Sequence, residues 1–574
     1  MQQSADTQAP SRWMLPSRVG EREQGLLGAD SLLMAQLLWN RGVRTDGEAR
    51  AFLDPVEHGQ LADPSTMLGV PLATARLIRA IGQGEPVAVY ADYDVDGIAG
   101  AALLSETLRD LGGHVIVHVP HRSRDGYGVN ADAVESLASA GARVIVTVDC
   151  GISAHHEVGR AIDLGVDAIV TDHHSVPSEL PAALAVVNPH QPGCAYPFKD
   201  LAGGAVAFQL ARSLLLAALR PEDAVRRWQR LAAFAALSTV ADMVPLVGEN
   251  RTIVAQGLEA ARGGTLWGIR AICEIAGRDL DRLSAHDLAF QVIPRLNAAG
   301  RMGDPHDALD VLLAPDGVAA QAIAQRLDGV NNARRTLMST ILSSIDGQLV
   351  DPAEGSVVLA GNYPIGLAGL IAGRLVERHA VPCVVIERGD EISRGSARGI
   401  EGVHLIRVLE ACSETLIQFG GHERAAGFSL YTGQIERFAR QFVSAVRLDR
   451  GELAPARELW ADGVIQLASV GDRLVDLVER FEPVGMGNAR PAFVSRSVLI
   501  RHARRIGGGH IRMTVVQGGV ERAAVAFRPT FPLPQPGARL DILYGVERSW
   551  WQGESRVDII VRDARPARPG PDGR

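Results

Sequence analysis

Val87-Ala-Val-Tyr-Ala-Asp92-Tyr-Asp94-Val-Asp96-Gly97 is a short apolar run that ends in three aspartates. Three runs of similar build follow it: His114-Val-Ile-Val-His-Val-Pro120-His-Arg122, Arg143-Val-Ile-Val-Thr-Val-Asp149-Cys-Gly151 and Asp167-Ala-Ile-Val-Thr-Asp172-His173-His174. Each is β-branched, and each is separated from the next by a helix-length segment. That is the pattern of parallel strands joined by crossover helices. Ligands of such sheets bind beyond the carboxyl ends of the strands, where Asp94, Asp96, Asp149, Asp172, His173 and His174 all fall. Acids gathered at one sheet edge repel each other unless cations sit among them. The sequence therefore predicts a metal centre with oxygen and nitrogen ligands.

Two adjacent ions need a bridging carboxylate and separate flanking ligands. Asp149 lies at the middle of the set and is the expected bridge. Asp94 and Asp96, two residues apart, are expected to face one way along an extended segment and to serve one ion each. His173 and Asp242 complete the set. Asp242 ends the apolar helix predicted from Trp228, where an acid opposes the helix dipole and a cation would relieve it. Asp92 and His174 either ligate as well or orient the ligands; Asp172 either ligates too or is an ordinary strand-end cap or turn former. Mixed carboxylates and imidazole favour two Mn²⁺ or Mg²⁺ ions. Such a pair supports in-line displacement at phosphorus without a protein nucleophile, so the catalytic set reads Asp94, Asp96, Asp149, His173, His174 and Asp242. Asp-x-Asp-x-Asp-Gly superficially matches a calcium loop, but position 103, where the ligating glutamate would fall, is leucine. The five cysteines form no Cys-x-x-Cys pair, which excludes a zinc knuckle; Cys150 reads as a small strand-end filler.

The chain has 574 residues, enough for three or four domains, and 47% are hydrophobic. No apolar run approaches the ~20 residues that cross a bilayer. The N-terminus, Met1-Gln-Gln-Ser-Ala-Asp, lacks a charged-then-apolar signal layout. A cytoplasmic protein without a membrane partner is expected. Net charge is −8, but from Arg457 onward 18 arginines face 13 acids, so this region carries +5 and the remainder −13. A basic end joined to an acidic, metal-binding front suits a polyanionic substrate.

The fold class is α/β. Residues 1–68 form a mixed N-terminal segment. Residues 69–315 hold the parallel-sheet domain, and within it Pro294 to Gly303 reads as a turn-rich stretch. A connecting helix over 316–350 leads to a second α/β domain over 351–447. There strands are predicted over 356–360 and 381–387, and helices over 366–379, 403–419 and 434–446, with polar turns at Arg394–Gly399 and Phe419–His422. Residues 457–567 show five short strands after a helix, a pattern suited to an OB-type β-barrel that binds nucleic acid. Arg501, Arg504, Arg505 and Arg512 are candidates for its binding face, with Trp550 and Trp551 as stacking groups. The tail, 568–574, is expected to be disordered.

These motifs resemble the DHH phosphoesterase superfamily, and within it the exonucleases specific for single-stranded DNA, over about residues 65–565. The marks are Asp92-Tyr-Asp-Val-Asp-Gly97, Gly126-Tyr-Gly128, Val148-Asp-Cys-Gly151, Thr171-Asp-His-His174, Ala241-Asp-Met-Val-Pro245 with Glu249-Asn-Arg251, and Pro294-Arg-Leu-Asn-Ala-Ala-Gly-Arg301. Gly395-Ser-Ala-Arg398, Gly420-Gly-His422-Glu-Arg-Ala-Ala-Gly427 and Pro483-Val-Gly-Met-Gly-Asn488 continue them. The resemblance implies metal ligation by Asp94, Asp96, Asp149, His173 and Asp242, with Asp92, Asp172 and His174 close by. It implies DNA-end contacts at Arg122 and Tyr127, and a grip on the 5′-phosphate by Arg301, Ser396 and Arg398. Gly421 and His422 would form the substrate-facing turn of the DHH-associated domain. The implied activity is 5′→3′ hydrolysis of single-stranded DNA to 5′-mononucleotides in repair and recombination, with a single-strand-binding protein and a helicase as partners. The chain departs from the family pattern at Asn362-Tyr363-Pro364, Ala99 and Gly399. Two other readings stay open here: a phosphoesterase of the superfamily acting on short oligonucleotides or cyclic dinucleotides, and a non-catalytic single-strand-binding scaffold.

Overall fold

The structure is a computed structural model describing residues 11–121, 128–346, 355–450, 458–551 and 554–567. Arg122, Tyr127, the tail 568–574 and the Trp550 and Trp551 side chains lie outside the described residues. The chain opens with a strand, β1 (Arg12–Met14), and helices α1 (Glu21–Leu26), α2 (Leu32–Asn40) and α3 (Asp46–Leu53). The Ser31 and Thr45 hydroxyls accept from Met34 N and Glu48 N, which caps α2 and α3.

Helix α4 (Val70–Gln83) leads into the first sheet. There follow β2 (Val87–Ala91), α5 (Val95–Asp110), β3 (Val115–His118), α6 (Ala131–Ser139), β4 (Val144–Val148), α7 (His155–Asp163), β5 (Asp167–Thr171) and β6 (Ala185–Val187). The strand order is β3-β2-β4-β5-β6, every pair parallel. β2 and β4 are buried at every position, as expected of strands covered on both faces. The order reverses between β2 and β4. That reversal opens the crevice in which doubly wound sheets bind their ligands, and Asp92 and Asp149 are the residues that leave those two strands.

Helices α8 (Gly203–Ala218), α9 (Pro221–Ala241) and α10 (Gly248–Arg262) cover this sheet, followed by α11 (Trp267–Ile275), α12 (Ala285–Asp287), α13 (Ile293–Met302) and α14 (His306–Leu312). The stretch expected to be turn-rich, Pro294 to Gly303, is helix α13 through Met302. Pro294 sits in its first turn, where a missing N–H costs nothing, and a π-helical turn over Leu288–Val292 feeds it. Helix α15 (Gly317–Asp346) then leads to the second α/β unit.

That unit comprises β7 (Val357–Gly361), α16 (Ile365–His379), β8 (Cys383–Glu387), β9 (Ile392–Arg398), α17 (Leu405–Glu410), β10 (Gln418–Gly421), β11 (Ala425–Tyr431) and α18 (Ile435–Arg450). Its order is β10-β11-β9-β8-β7, and only β7 and β8 run parallel. Three expectations are corrected, among them the turn at Phe419–His422, of which Phe419–Gly421 pair with β11 as strand β10. Arg394–Gly399 is not a turn, because β9 runs through Arg398 and is paired on both sides, by β8 and β11. The helix expected over 403–419 stops at Glu410, and its last residues become a 3-10 turn (Ser413–Thr415) and strand β10.

The C-terminal unit contains β12 (Glu458–Trp460), β13 (Gly463–Val464), α19 (Asp472–Glu479), β14 (Ala492–Ile506), β15 (His510–Gln517), β16 (Val520–Ala526), β17 (Arg539–Trp551) and β18 (Glu554–Pro566). β14 pairs with both β15 and β17, which closes the barrel. The N-terminal segment joins this unit: β12 pairs with β1, and Met34, Leu37 and Leu38 of α2 share one buried cluster with Leu474, Phe481, Phe493 and Tyr544. Among the described residues no helix is long and apolar enough to cross a membrane. Leu38→Ala should therefore cost about 2–5 kcal/mol in the denaturant transition reported by the barrel. An unchanged barrel midpoint would show that α2 is no part of its core.

Candidate metal centre

The centre is built where β2, β4 and β5 end. Asp92 follows β2, and Asp94 caps the N-terminus of α5, its Oδ1 accepting from Asp96 N at 2.9 Å and Gly97 N at 3.3 Å. The bend is tight: a Cβ on Gly97 would lie 2.6 Å from the Asp92 carbonyl oxygen. Asp94 and Asp96 do not share an extended segment, which corrects the expectation. Asp96 is in the first turn of α5 and is 2% exposed. Its Oδ2 accepts from Gly203 N (2.8 Å), and its Oδ1 from Gly204 N (2.7 Å) and Ser238 Oγ (2.5 Å). The carboxylate thus caps α8 while facing the crevice, where its Oδ2 lies 3.8 Å from His173 Nε2. Ser238 and the two glycines were missed from sequence, although Ala202-Gly-Gly204 carried a signal in its paired glycines.

Asp149 follows β4 with φ +62, a left-handed conformation that a non-glycine residue keeps only when its surroundings enforce it. A Cβ on Gly203 would lie 2.5 Å from Asp149 Oδ1, so the carboxylate rests against the bare N-terminus of α8. Its Oδ1 is buried and accepts no hydrogen bond; His173 Nε2 lies 3.2 Å away without hydrogen-bond geometry. A buried carboxylate oxygen left this way calls for a cation. Asp242 caps the C-terminus of α9, with His173 Nδ1 3.7 Å from its Oδ2. Two sets of ligand atoms, each within 4.8 Å of one another, result: Asp92, Asp94 and Asp149, and Asp96, His173 and Asp242. A third set, Asp149, His173 and His174, joins them.

Asp172 stands outside all three sets. Its Oδ1 accepts from His173 N (2.7 Å), His174 N (3.1 Å) and His174 Nδ1 (2.7 Å), and its Oδ2 from Ile152 N (2.9 Å). With both oxygens occupied, it orients the two histidines. Cys150 is buried and its thiol is pushed well above the usual range by that burial and then by Asp92 and Asp172, which rules it out as a nucleophile.

The second α/β unit closes over this crevice. The His422 ring, beside β10, stacks on His174 at 5.9 Å and 8°. Gly421 has φ +140, and a Cβ there would lie 2.4 Å from the Ala425 carbonyl oxygen. Gly300 lets α13 touch the Asp92–Asp96 bend, since its Cβ would fall 2.8 Å from the Tyr93 carbonyl oxygen. Arg301 follows and donates to Gly366 O at 3.1 Å, in the first turn of α16. Arg398 donates to Ser396 Oγ at 3.1 Å, and both side chains lie against Gly369, within 2.7 Å and 3.1 Å of where its Cβ would be. Two guanidinium groups and a hydroxyl thus gather along the first two turns of α16. Glu387, unnoticed in sequence, accepts from Ile365 N at 3.1 Å at the same end. On the barrel, Arg504 and Arg512 are exposed and directly opposite each other across β14 and β15. Like charges so placed repel and favour a polyanion.

The charges confirm the strain. Burial, then Asp96 and Asp94, raise Asp149 well above the carboxylate range. Burial, then Asp96, raise Asp94, and burial, then Asp96 and Asp94, raise Asp242 to about 8. Burial works to lower His174, but the hydrogen bond and charge of Asp172 prevail and raise it to about 9. Burial lowers His173. Between its ordinary 3.8 and about 8, folded Asp242 holds a proton that the unfolded chain has released, so its contribution falls as pH rises. The stability supplied by His174 is complete below 6.5 and lost as pH rises through about 9. His173 works in the opposite direction only below 6.5. The metal-free protein should therefore lose stability from pH 6.5 to 9 in denaturant titrations, and Mn²⁺ should flatten the slope. A midpoint that rises over this range would contradict the reading.

Family models match three parts of the chain: the DHH family N-terminal domain over residues 86–239, the DHHA1 domain over 357–447 and the RecJ OB domain over 461–563. The chain is 33% identical to the single-stranded-DNA-specific exonuclease RecJ of Escherichia coli, covering 93% of this chain and 96% of that one. It is also 33% identical to the Bacillus subtilis RecJ, covering 93% and 68% respectively. The crystal structure of Thermus thermophilus RecJ in complex with Mn²⁺ superposes with a TM-score of 0.84 at 28% identity, over 97% of this chain and 80% of that one. Its Mg²⁺ complex gives 0.78 at 26% identity over 97% and 79%. Three matched domains in one order, and a third of residues shared along nearly the whole length, place this chain in the RecJ family of the DHH superfamily.

Proposed function

We propose that the chain is a metal-dependent 5′→3′ exonuclease that hydrolyses single-stranded DNA to 5′-mononucleotides in repair and recombination. The observation that carries this reading is the pairing of two acid-rich ligand sets with a cationic helix N-terminus across one crevice. Asp92, Asp94 and Asp149 would hold one Mn²⁺ or Mg²⁺ ion, and Asp96, His173 and Asp242 the other, with Asp149 and His174 between them. Such ions supply an activated water and stabilise the charge on the leaving oxygen.

The protein's own groups arrange the rest. Asp172 fixes the His174 tautomer and ring plane. His422 stacks on that ring and so ties the second α/β unit to the centre. Arg301, Arg398 and Ser396 would hold the terminal 5′-phosphate, and the N-terminus of α16 adds its dipole. An anchor for the chain end beside the centre makes hydrolysis count from that end. The strand on the 3′ side of the scissile bond would run toward the barrel, where Arg504, Arg505 and Arg512 offer charge to its backbone. The same reading assigns a helicase and a single-strand-binding protein as partners, because each presents separated strands.

End-labelled single strands test it. Mn²⁺ should release labelled mononucleotide from 5′-labelled DNA. Asp149→Ala should fold and be inactive; undiminished cleavage by it would reject Asp149 as a ligand. Cleavage of dinucleotides in preference to long strands would favour the short-oligonucleotide reading. Arg398→Ala removes a charge-assisted contact of about 1.5–3 kcal/mol, so kcat/KM on 5′-phosphorylated strands should fall roughly 10–150-fold. Its effect on 5′-hydroxyl strands should be smaller, and equal losses on both would remove Arg398 from the phosphate site.

A further inference from the structure

Two motifs of the sequence take no part in the reading so far: Glu249-Asn-Arg251 and Pro483-Val-Gly-Met-Gly-Asn488. In the structure they meet at the loop that carries Asp242. Asp242 is followed by Met243, whose φ is +61. A methionine in this conformation needs its flanks held, and the flank is held from the barrel side. Leu246 N donates to Met486 O at 2.7 Å. A Cβ on Gly485 would lie 2.7 Å from Leu246 Cδ1, and one on Gly487 2.9 Å from Pro245 Cβ. The 483–488 loop therefore presses on residues 245 and 246 with no side chain between. From its own side, Asn250 Nδ2 donates to Pro245 O at 3.0 Å and to Asp200 O at 2.6 Å.

The pressing loop is itself fixed. Asn488 Nδ2 donates to Phe481 O (3.0 Å) and Pro483 O (2.8 Å), and Gly485 and Asn488 exchange backbone hydrogen bonds. Arg251 is 2% exposed; its guanidinium donates to Phe481 O (3.1 Å), Pro483 O (2.9 Å), Glu482 O (2.7 Å) and Phe52 O (2.9 Å) and lies over the Phe52 ring at 3.9 Å. Arg41, at the C-terminal cap of α2, stacks over Phe481 at 4.8 Å and donates to Asn488 Oδ1 at 2.9 Å. Three segments far apart in sequence thus converge on one loop, and that loop meets the Asp242 loop at 2.7 Å.

We infer that the Pro483–Asn488 loop, the entrance to the barrel, is a positioning element for the metal centre: it holds the Asp242 loop in its strained form and thereby sets the affinity of the ion that Asp242 would share with Asp96 and His173. The inference rests on the metal reading of Asp242. It makes the barrel more than a DNA-holding module, because a disturbance at its entrance reaches the crevice through Pro245 and Leu246.

Gly487→Val tests this, since Gly487 is exposed and its substitution strikes Pro245 without opening a core. Mn²⁺ binding is measured by calorimetry on the metal-free full chain, with Asp242→Asn as reference. Asp242→Asn should weaken one class of sites, and Gly487→Val should weaken that same class about 10–100-fold. The Mn²⁺ concentration for half-maximal cleavage should rise in parallel, while KM for DNA at saturating Mn²⁺ stays within about twofold. Wild-type affinity in Gly487→Val beside a weakened Asp242→Asn overturns the brace and leaves the metal reading standing. Wild-type affinity in Asp242→Asn overturns the metal reading of Asp242, and the brace with it.

Discussion

Everything in this molecule is arranged around carboxylates that cannot tolerate one another. Asp92, Asp96 and Asp149 are buried at the ends of two adjacent strands, and Asp94 and Asp242 face them. Two unit charges ~4 Å apart repel by about 4 kcal/mol at an effective dielectric of 20. Among the described residues the Arg301 guanidinium lowers Asp94, but its effect is smaller than that of burial or of Asp96. What the protein supplies instead is hydrogen bonds that fix each acid in place. Asp96 is held by Gly203, Gly204 and Ser238, Asp94 by its own helix, and Asp149 by a left-handed backbone against Gly203. The repulsion is thereby preserved as affinity for divalent cations.

The scaffold explains why these acids meet. The strand order reverses between β2 and β4, so Asp92 and Asp149 become neighbours although a strand and two helices separate them in sequence. The helix α5 that leaves β2 begins with Asp94 and Asp96, and α8 delivers its N-terminus to the second of these. The dipole at that end favours the Asp96 carboxylate, which partly offsets the desolvation of a group 2% exposed. At Asp242 the dipole has the opposite sign. That acid sits at a helix C-terminus, where burial, Asp96 and Asp94 raise its pKa to about 8.

The sheet, its strand ends and the acids on them were legible because apolar period and strand-end chemistry are local features. Asp92, Asp94, Asp149 and His173 could be gathered from three separate stretches on that basis alone, and Asp242 from a fourth by its place at a helix C-terminus. What the sequence hid was geometry set by distant partners. Asp94 and Asp96 read as an extended pair, since nothing local shows that α5 starts between them. Arg394–Arg398 read as a turn because its residues are polar and small, yet it is a central strand whose Gly395 makes room for Phe428; a Cβ there would lie 2.2 Å from that ring. Pro294 to Gly303 read as a loop for the same reason and is helix. In each case tertiary partners override local preference. The task of Asp172 was equally hidden, because four hydrogen-bond donors converge on it from backbone and ring positions that only the fold brings together.

The crevice is also a junction, and this bears on how it recognises an end. The metal-compatible acids come from the first unit, whereas Ser396, Arg398 and the α16 N-terminus come from the second. Arg301 belongs to the first unit and reaches the second, donating to Gly366. A phosphate gripped by all of them requires both units in register, and the His174–His422 stack is a direct contact that enforces it. Ligand and anchor are then fixed relative to each other by packed side chains rather than by a tether. Arg398 and Ser396 are themselves packed against α16, within 3.1 Å of the position a Gly369 Cβ would take, so these side chains keep their place only while that helix keeps its own.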